Sequence, residues 1–140
     1  MSETIHAGCV AIGGRGVLIA GSSGSGKSDL ALRLIDRGAA LVGDDYVEVA
    51  ARHGRLYAAP PERIAGRIEV RGIGIVESPY VAEAPLCLHV DLGQPTERLP
   101  NPGEIRLCGL ALPSLGLAAL EPSAPIKLEQ ALRLYGLPLP

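Results

Sequence analysis

Residues 21–28 read Gly-Ser-Ser-Gly-Ser-Gly-Lys-Ser, a full match to the pattern G-x-x-x-x-G-K-[ST]. The apolar run Val17-Leu18-Ile19-Ala20 precedes it, and Asp29 to Arg37 follows with helical spacing of Leu30, Ala31, Leu34 and Ile35. Strand, glycine loop and helix is the order that anion binding needs. Glycines let successive backbone N–H groups turn inward on an anion, and the helix N-terminus adds its partial positive charge. Gly21, Ser22, Ser23, Gly24, Ser25, Gly26, Lys27 and Ser28 are therefore the candidate nucleotide-binding residues. Lys27 reaches the β- and γ-phosphates, and the Ser28 hydroxyl is a ligand for Mg²⁺. Lys27 is expected to stand as a solvent-facing point charge in the empty loop. At average residue usage, the fixed positions match by chance in roughly half a percent of chains this long. The plainer reading is a flexible Gly/Ser turn before an ordinary helix.

The chain has 140 residues, which predicts one domain over 1–140. Phe and Trp are absent, so the core must be built from Leu, Ile, Val and Ala. A net charge of −2 with no basic run argues against a nucleic-acid partner. Cys9, Cys87 and Cys108 form no Cys-x-x-Cys pair, and read as buried thiols in a reducing cytosol rather than as a zinc site. No apolar run is long enough to span a membrane and no signal pattern opens the chain, so a soluble cytoplasmic protein is expected.

Read from end to end, Thr4–Ile12 is a strand that forms a hairpin with Val17–Ala20. The loop helix stops at Gly38. Ala39–Val42 is a strand ending at Gly43-Asp44-Asp45. Tyr46–Ala50 and Arg55–Ala58 form a second hairpin turning at His53-Gly54. Ile64–Val70 is partly extended, Gly72–Ile75 is a Gly-rich strand or turn, and Leu86–Val90 is a buried strand. Gln94–Gly103 is a loop, Ile105–Leu112 is the last strand, and Pro125–Tyr135 is a helix ended by Gly136. This is not a regular alternation of parallel strands and helices. It predicts an α/β fold in which a mixed sheet with hairpins surrounds one phosphate-loop helix, with a second helix at the C-terminus.

Two further strings could carry chemistry. Asp44 and Asp45 sit at the end of the strand after the loop helix, where carboxyl ends of strands flank ligands in open sheets. Alternation sends their side chains to different faces, so one can face Mg²⁺ or the nucleophile while the other makes structural hydrogen bonds. A transfer to an alcohol needs a carboxylate to take the hydroxyl proton, and this pair is the best candidate; the alternative is an Asp-rich turn. In Ile68-Glu69-Val70-Arg71-Gly72-Ile73-Gly74-Ile75, Glu69 and Arg71 share a face if extended. That offers an acid for Mg²⁺ and a cation for phosphate or substrate, or else a surface salt-bridged strand. His6, on the first strand, reads on its own as a structural histidine.

Taken together, Gly21–Ser28, Gly43-Asp44-Asp45 and Ile68–Ile75 resemble the catalytic, C-terminal domain of the HPr kinase/phosphorylase family. That bacterial family has an Asp-Asp pair at this distance from the loop and a Glu-Ile-Arg-Gly-Leu-Gly-Ile signature. Ile5-His6-Ala7-Gly8 also resembles its Val-His-Gly segment, and the likeness runs over about residues 5–76. The resemblance implies a fold related to phosphoenolpyruvate carboxykinase. It implies ATP- and Mg²⁺-dependent phosphorylation of a serine on the phosphocarrier protein HPr or a paralogue, in regulation of the phosphotransferase system. By the family pattern Lys27 binds phosphates, Ser28 and Glu69 hold Mg²⁺, Asp45 accepts the serine proton with Asp44 in support, and His6 matches an active-site histidine. A homo-oligomer, a hexamer in the family, is implied as well. With the loop at residue 21, the chain is similar to a truncated proteobacterial form without the usual N-terminal domain. The family's late loop carries an arginine for phosphorolysis of phosphoserine. The comparable stretch here, Leu112-Pro113-Ser114-Leu115-Gly116, has none, so Arg71 or Arg106 would have to substitute. A different class of function, an ATP-sensing regulatory module with little transferase activity, fits the same loop.

Overall fold

The run Val17-Leu18-Ile19 forms the middle of strand β3 (Arg15–Ala20) and buries both faces. Val17 and Ile19 point into a core shared with Leu30, Ala31 and Leu34 of helix α1 (Lys27–Asp36) and with Ala124, Leu128, Ala131 and Leu132 of helix α2 (Ala124–Tyr135). Leu18 points the other way, into a second core with Cys9, Val42, Val47, Val49, Leu86 and Leu112. Alternating side chains on a doubly covered strand require this continuous apolar run. The computed structural model describes residues 2–61 and 64–140; Met1, Glu62 and Arg63 of the expected 1–140 domain lie outside the described residues.

The remaining strands are β1 (Ser2–His6), β2 (Gly8–Ile12), β4 (Ala40–Gly43), β5 (Tyr46–Arg52), β6 (Arg55–Ala59), β7 (Arg67–Val70), β8 (Gly74–Glu77), β9 (Ala84–Asp91), β10 (Gly103–Leu107) and β11 (Leu110–Gly116). The main sheet runs β1-β5-β6-β9-β3-β2-β4, with β11 also paired to β9 and β10 to β11. β3 is parallel to β9, β9 is parallel to β11, and β2 is antiparallel to both β3 and β4. Strands β11, β9, β3 and β4 therefore end at one edge of the sheet. That edge carries the glycine loop after β3 and Asp44-Asp45 after β4. A separate hairpin, β7–β8, stands beside it and packs on α1.

The expected mixed sheet, the β2–β3 and β5–β6 hairpins and both helices are present. Two strands expected as single pieces are each split. Thr4–Ile12 breaks at Ala7, whose N–H bonds back to the Ile5 carbonyl; β1 then pairs with β5 and β2 with β3. Ile105–Leu112 turns at Cys108-Gly109, where both residues hold positive φ, 48° and 80°. That is the backbone a tight two-residue hairpin requires. Leu112–Gly116 is consequently strand, with Ser114 paired to Gly103 on β10 and to His89 on β9, and is no loop at the site. Cys9 and Cys87 are buried as expected, whereas Cys108, in the turn, is only half-buried. No helix of the described residues is long and apolar enough to cross a membrane.

Candidate active site

Two very short links bring the sheet's curled ends together. Ala7 alone joins β1 to β2, and Asp44-Asp45 alone join β4 to β5. His6 is the register partner of Tyr46, the residue that follows Asp45. The outcome is a hydrogen bond of 2.8 Å from His6 Nε2–H to the Asp45 carboxylate, although the residues are 39 positions apart. The His6 and Tyr46 rings lie 4.9 Å apart at a tilt of 31°, so the imidazole also packs against an aromatic ring. Asp45 adopts the left-handed region at φ 73°, so the two aspartates diverge by a turn rather than by strand alternation.

The divergence gives them separate partners. Asp44 accepts a 2.7 Å bond from the Ser28 hydroxyl through Oδ1, and a 2.9 Å bond from the Glu69 N–H through Oδ2. One carboxylate thus ties the end of the glycine loop to the β7 strand. No hydrogen bond links the Asp44 and Asp45 side chains; those of Asp44 go to Ser28 and Glu69.

The loop itself is folded on its own backbone. Ser25 N–H donates to the Ser22 carbonyl at 3.0 Å. Lys27 Nζ donates to the carbonyls of Gly21 at 2.8 Å and Ser22 at 3.0 Å. Lys27 is only 8% exposed, which corrects the expectation of a solvent-facing charge: a cation with nothing anionic in reach takes the nearest carbonyl oxygens. Gly26 opens α1 at φ 101°, a conformation that L side chains rarely adopt, and so lets the loop turn directly into the helix.

An open cleft of about 820 Å³ lies between this loop and the β7–β8 hairpin. Ser23, Gly24, Gly26, Lys27 and Ser28 line it from the loop; Asp44 and Asp45 line it from the sheet edge. Glu69 and Arg71 line it from the hairpin, on one face of the chain. Gly21, Ser22 and Ser25 stand behind the lining, and His6 reaches the cleft only through Asp45. Arg106 is not in the cleft; it donates to the Gly109 carbonyl in its own hairpin.

Three features had not been read from the sequence. Arg67 lines the cleft two residues before Glu69, and its parity with Glu69 and Arg71 was the available signal. Leu120 is 81% exposed at the cleft mouth. Arg33 of α1 holds the segment bearing Leu120 through the carbonyls of Ala119 and Glu121, and pairs with Asp29 at 3.0 Å. No local pattern marks the bonds of Arg33 to the Ala119 and Glu121 carbonyls, which lie more than eighty residues away.

The donor set suits a hard divalent cation. Ser28, Asp44 and Glu69 offer oxygen ligands, and the described residues contain no cluster of three or more His, Cys, Asp or Glu that would make an all-protein cage. Mg²⁺ takes one or two carboxylates and completes its shell with water and phosphate oxygens, so the residues present fit it.

The family described as HPr Serine kinase C-terminal domain matches residues 1–81. The chain is 40% identical over 126 residues to the HPr kinase/phosphorylase of Streptococcus thermophilus, covering 80% of this chain and 41% of that protein. It is 50% identical over 76 residues to the HPr kinase/phosphorylase of Brevibacillus brevis, covering 54% of this chain and 24% of that protein. It thus spans about two fifths or less of the length of these relatives. The solved structure of the Hpr(Ser) kinase/phosphatase from Coxiella burnetii superposes with a TM-score of 0.82 at 31% identity, covering 94% of this chain and 88% of that one. With a matching family model over more than half its length and the same fold in a solved relative, this chain belongs to the HPr serine kinase C-terminal domain family.

Proposed function

We propose that this chain is an ATP- and Mg²⁺-dependent kinase that phosphorylates a serine of HPr or a paralogue. The observation that carries the reading is the Asp44 bridge. One carboxylate holds the Ser28 hydroxyl and the Glu69 strand at 2.7 and 2.9 Å, and a second, Asp45, enters the same cleft. The proposed fold relation is to phosphoenolpyruvate carboxykinase, in keeping with the hairpin-rich mixed sheet. Regulation of the phosphotransferase system, a homo-oligomeric state and a cytoplasmic setting belong to the same proposal, the last in keeping with three free cysteines.

In this reading the loop N–H groups and Lys27 hold the triphosphate, and Lys27 exchanges its two carbonyl partners for phosphate oxygens. Bound Mg²⁺ would neutralise charge on the β- and γ-phosphates, held by Ser28 and Glu69 with Asp44 orienting both. Asp45 takes the proton of the acceptor serine. His6 donates from Nε2 to the Asp45 carboxylate and fixes its orientation. Arg71 faces the transferred phosphoryl group across the cleft.

The test is transfer from γ-labelled ATP to purified HPr, wild type and with its acceptor serine changed to alanine. Label on the wild-type carrier alone supports the kinase. Nucleotide binding with no label on any HPr would favour an ATP-sensing module.

A further inference from the structure

We propose that Arg67 is an anion-binding residue of the cleft, acting with Arg71 on either side of Glu69 to hold a phosphate group opposite the glycine loop. The inference deepens the kinase reading and rests on it. Strand β7 alternates cleanly. Ile68 is 1% exposed and Val70 packs on the core, so Arg67 and Glu69 stand on the outer face, and Arg71 opens the turn that follows. All three line the cleft. Successive residues on one face of a strand are about 7 Å apart, so an arginine stands about that far from Glu69 on the strand side.

The charges in the cleft favour a second arginine. Its lining holds four carboxylates, Asp29, Asp44, Asp45 and Glu69, of which Asp29 is paired with Arg33, against three cations, Lys27, Arg67 and Arg71. Lys27 sits within the loop, where it is bonded to backbone carbonyls. A phosphate group on the far side of the cleft would therefore face Asp45 and Glu69 with only the hairpin's arginines to offset them. Guanidinium groups suit that place, since their planar fork bonds phosphate oxygens two at a time.

Neither arginine is committed elsewhere among the described residues. The ion pairs there are His6–Asp45, Asp29–Arg33, Arg37–Glu129, Arg52–Glu83 and Glu121–Lys127. Glu77 on β8 is the register partner of Arg67, which is the plainer role for this arginine: a cross-strand charge pair. Yet Glu77 lies outside the cleft lining and within no ion-pair distance of Arg67. Arg67 also supplies what Leu112–Gly116, as a strand, does not: a cation that reaches the site from outside the glycine loop.

The phosphate could be the γ-group of the nucleotide or free inorganic phosphate, and calorimetry separates them. Inorganic phosphate is titrated into the protein saturated with MgADP, and MgATP and MgADP are titrated into the free protein. Wild type, Arg67→Gln, Arg67→Lys, Glu77→Gln and Lys27→Ala are compared. If free phosphate is the ligand, Arg67→Gln weakens phosphate binding to the MgADP form about tenfold, the size expected for a lost charge-assisted bond, and Arg67→Lys recovers part of it. If the γ-group is the ligand, Arg67→Gln weakens MgATP about tenfold and MgADP hardly at all. Glu77→Gln leaves all three affinities unchanged. The proposal is overturned if Arg67→Gln alters none of them, or if Glu77→Gln reproduces its effect. Lys27→Ala is the check on the underlying reading: if it leaves MgADP affinity intact, the glycine loop is not the nucleotide site, whatever Arg67 does.

Discussion

Replacing Asp44 separates metal-nucleotide binding from protein stability, because its two bonds have different chemistry. The Ser28 hydroxyl can accept as well as donate, but the Glu69 N–H can only donate. In Asp44→Asn the amide oxygen can therefore stay on Glu69 N–H, while the amide NH₂ donates to Ser28 Oγ. Both bonds survive at neutral strength, and the melting temperature should stay within about 2 °C of wild type. What changes is the hydroxyl: the lone pair that would meet a cation is occupied, and a negative charge is gone. Asp44→Ala instead removes both bonds. A hydrogen bond to a charged group contributes about 1.5–3 kcal/mol, and Asp44 is only half-buried, so the two together are worth about 2–3 kcal/mol. If the site loses all of that organisation, at about 1.4 kcal/mol per decade, the affinity for MgATP should fall roughly thirty- to 150-fold in the alanine variant, and about tenfold in the asparagine variant. Calorimetric titration of MgATP, repeated with nucleotide in chelator, measures this. Both variants should bind metal-free nucleotide much as wild type does. Equal weakening with and without Mg²⁺ would refute the argument, as would asparagine and alanine variants that bind MgATP normally.

Asp45→Asn should lower the transfer rate by at least about a hundredfold with little change in MgATP affinity; loss of nucleotide binding instead would make Asp45 a structural or metal residue. Lys27→Ala should abolish transfer, and it should also lower the melting temperature slightly, since Lys27 ties together the Gly21 and Ser22 carbonyls; undiminished transfer would exclude the loop as the site. Burial pushes His89 below its ordinary value, with Asp91 opposing, so the unfolded chain binds its proton first on acidification. Stability from this group is complete above about pH 6.5 and falls as pH drops toward the folded value, at no more than about 1.4 kcal/mol per unit; denaturant melts of His89→Gln should lack that slope. Alkylation of the native protein should add one label, at the half-buried Cys108, since Cys9 and Cys87 are enclosed and burial raises the Cys9 thiol far above its usual range; mass spectrometry showing early labelling of Cys9 would contradict the packing.

The parts of the site that were legible in the sequence are those fixed by local chemistry. Gly21–Ser28 needs only its own backbone to curl, and Glu69 and Arg71 needed only strand parity to share a face. What the sequence does not reveal depends on long-range pairing. The strand-like stretch from Thr4 to Ile12 does not reveal that it divides between two regions of the sheet at Ala7, because Ala carries no turn signal. The Cys108-Gly109 turn lacks the usual Asn or Asp before its glycine, so Ile105–Leu112 reads as unbroken. The seam between β1 and β5 gives His6 its place beside Asp45, and strand pairing of that kind leaves no mark at the spacing of neighbouring residues. Burial of Lys27 is a property of the closed loop, and the motif reports only its reach.

The most direct test of the central claim is a structure of the protein with Mg²⁺ and a non-hydrolysable ATP analogue. The triphosphate is expected along the N–H groups of residues 21–28, with Lys27 released from the Gly21 and Ser22 carbonyls onto phosphate oxygens. The cation should lie next to Ser28 and Glu69, and the Asp45 carboxylate should face the open side of the γ-phosphate. A nucleotide bound elsewhere, or an Asp45 turned away from the γ-phosphate in the filled cleft, would contradict it.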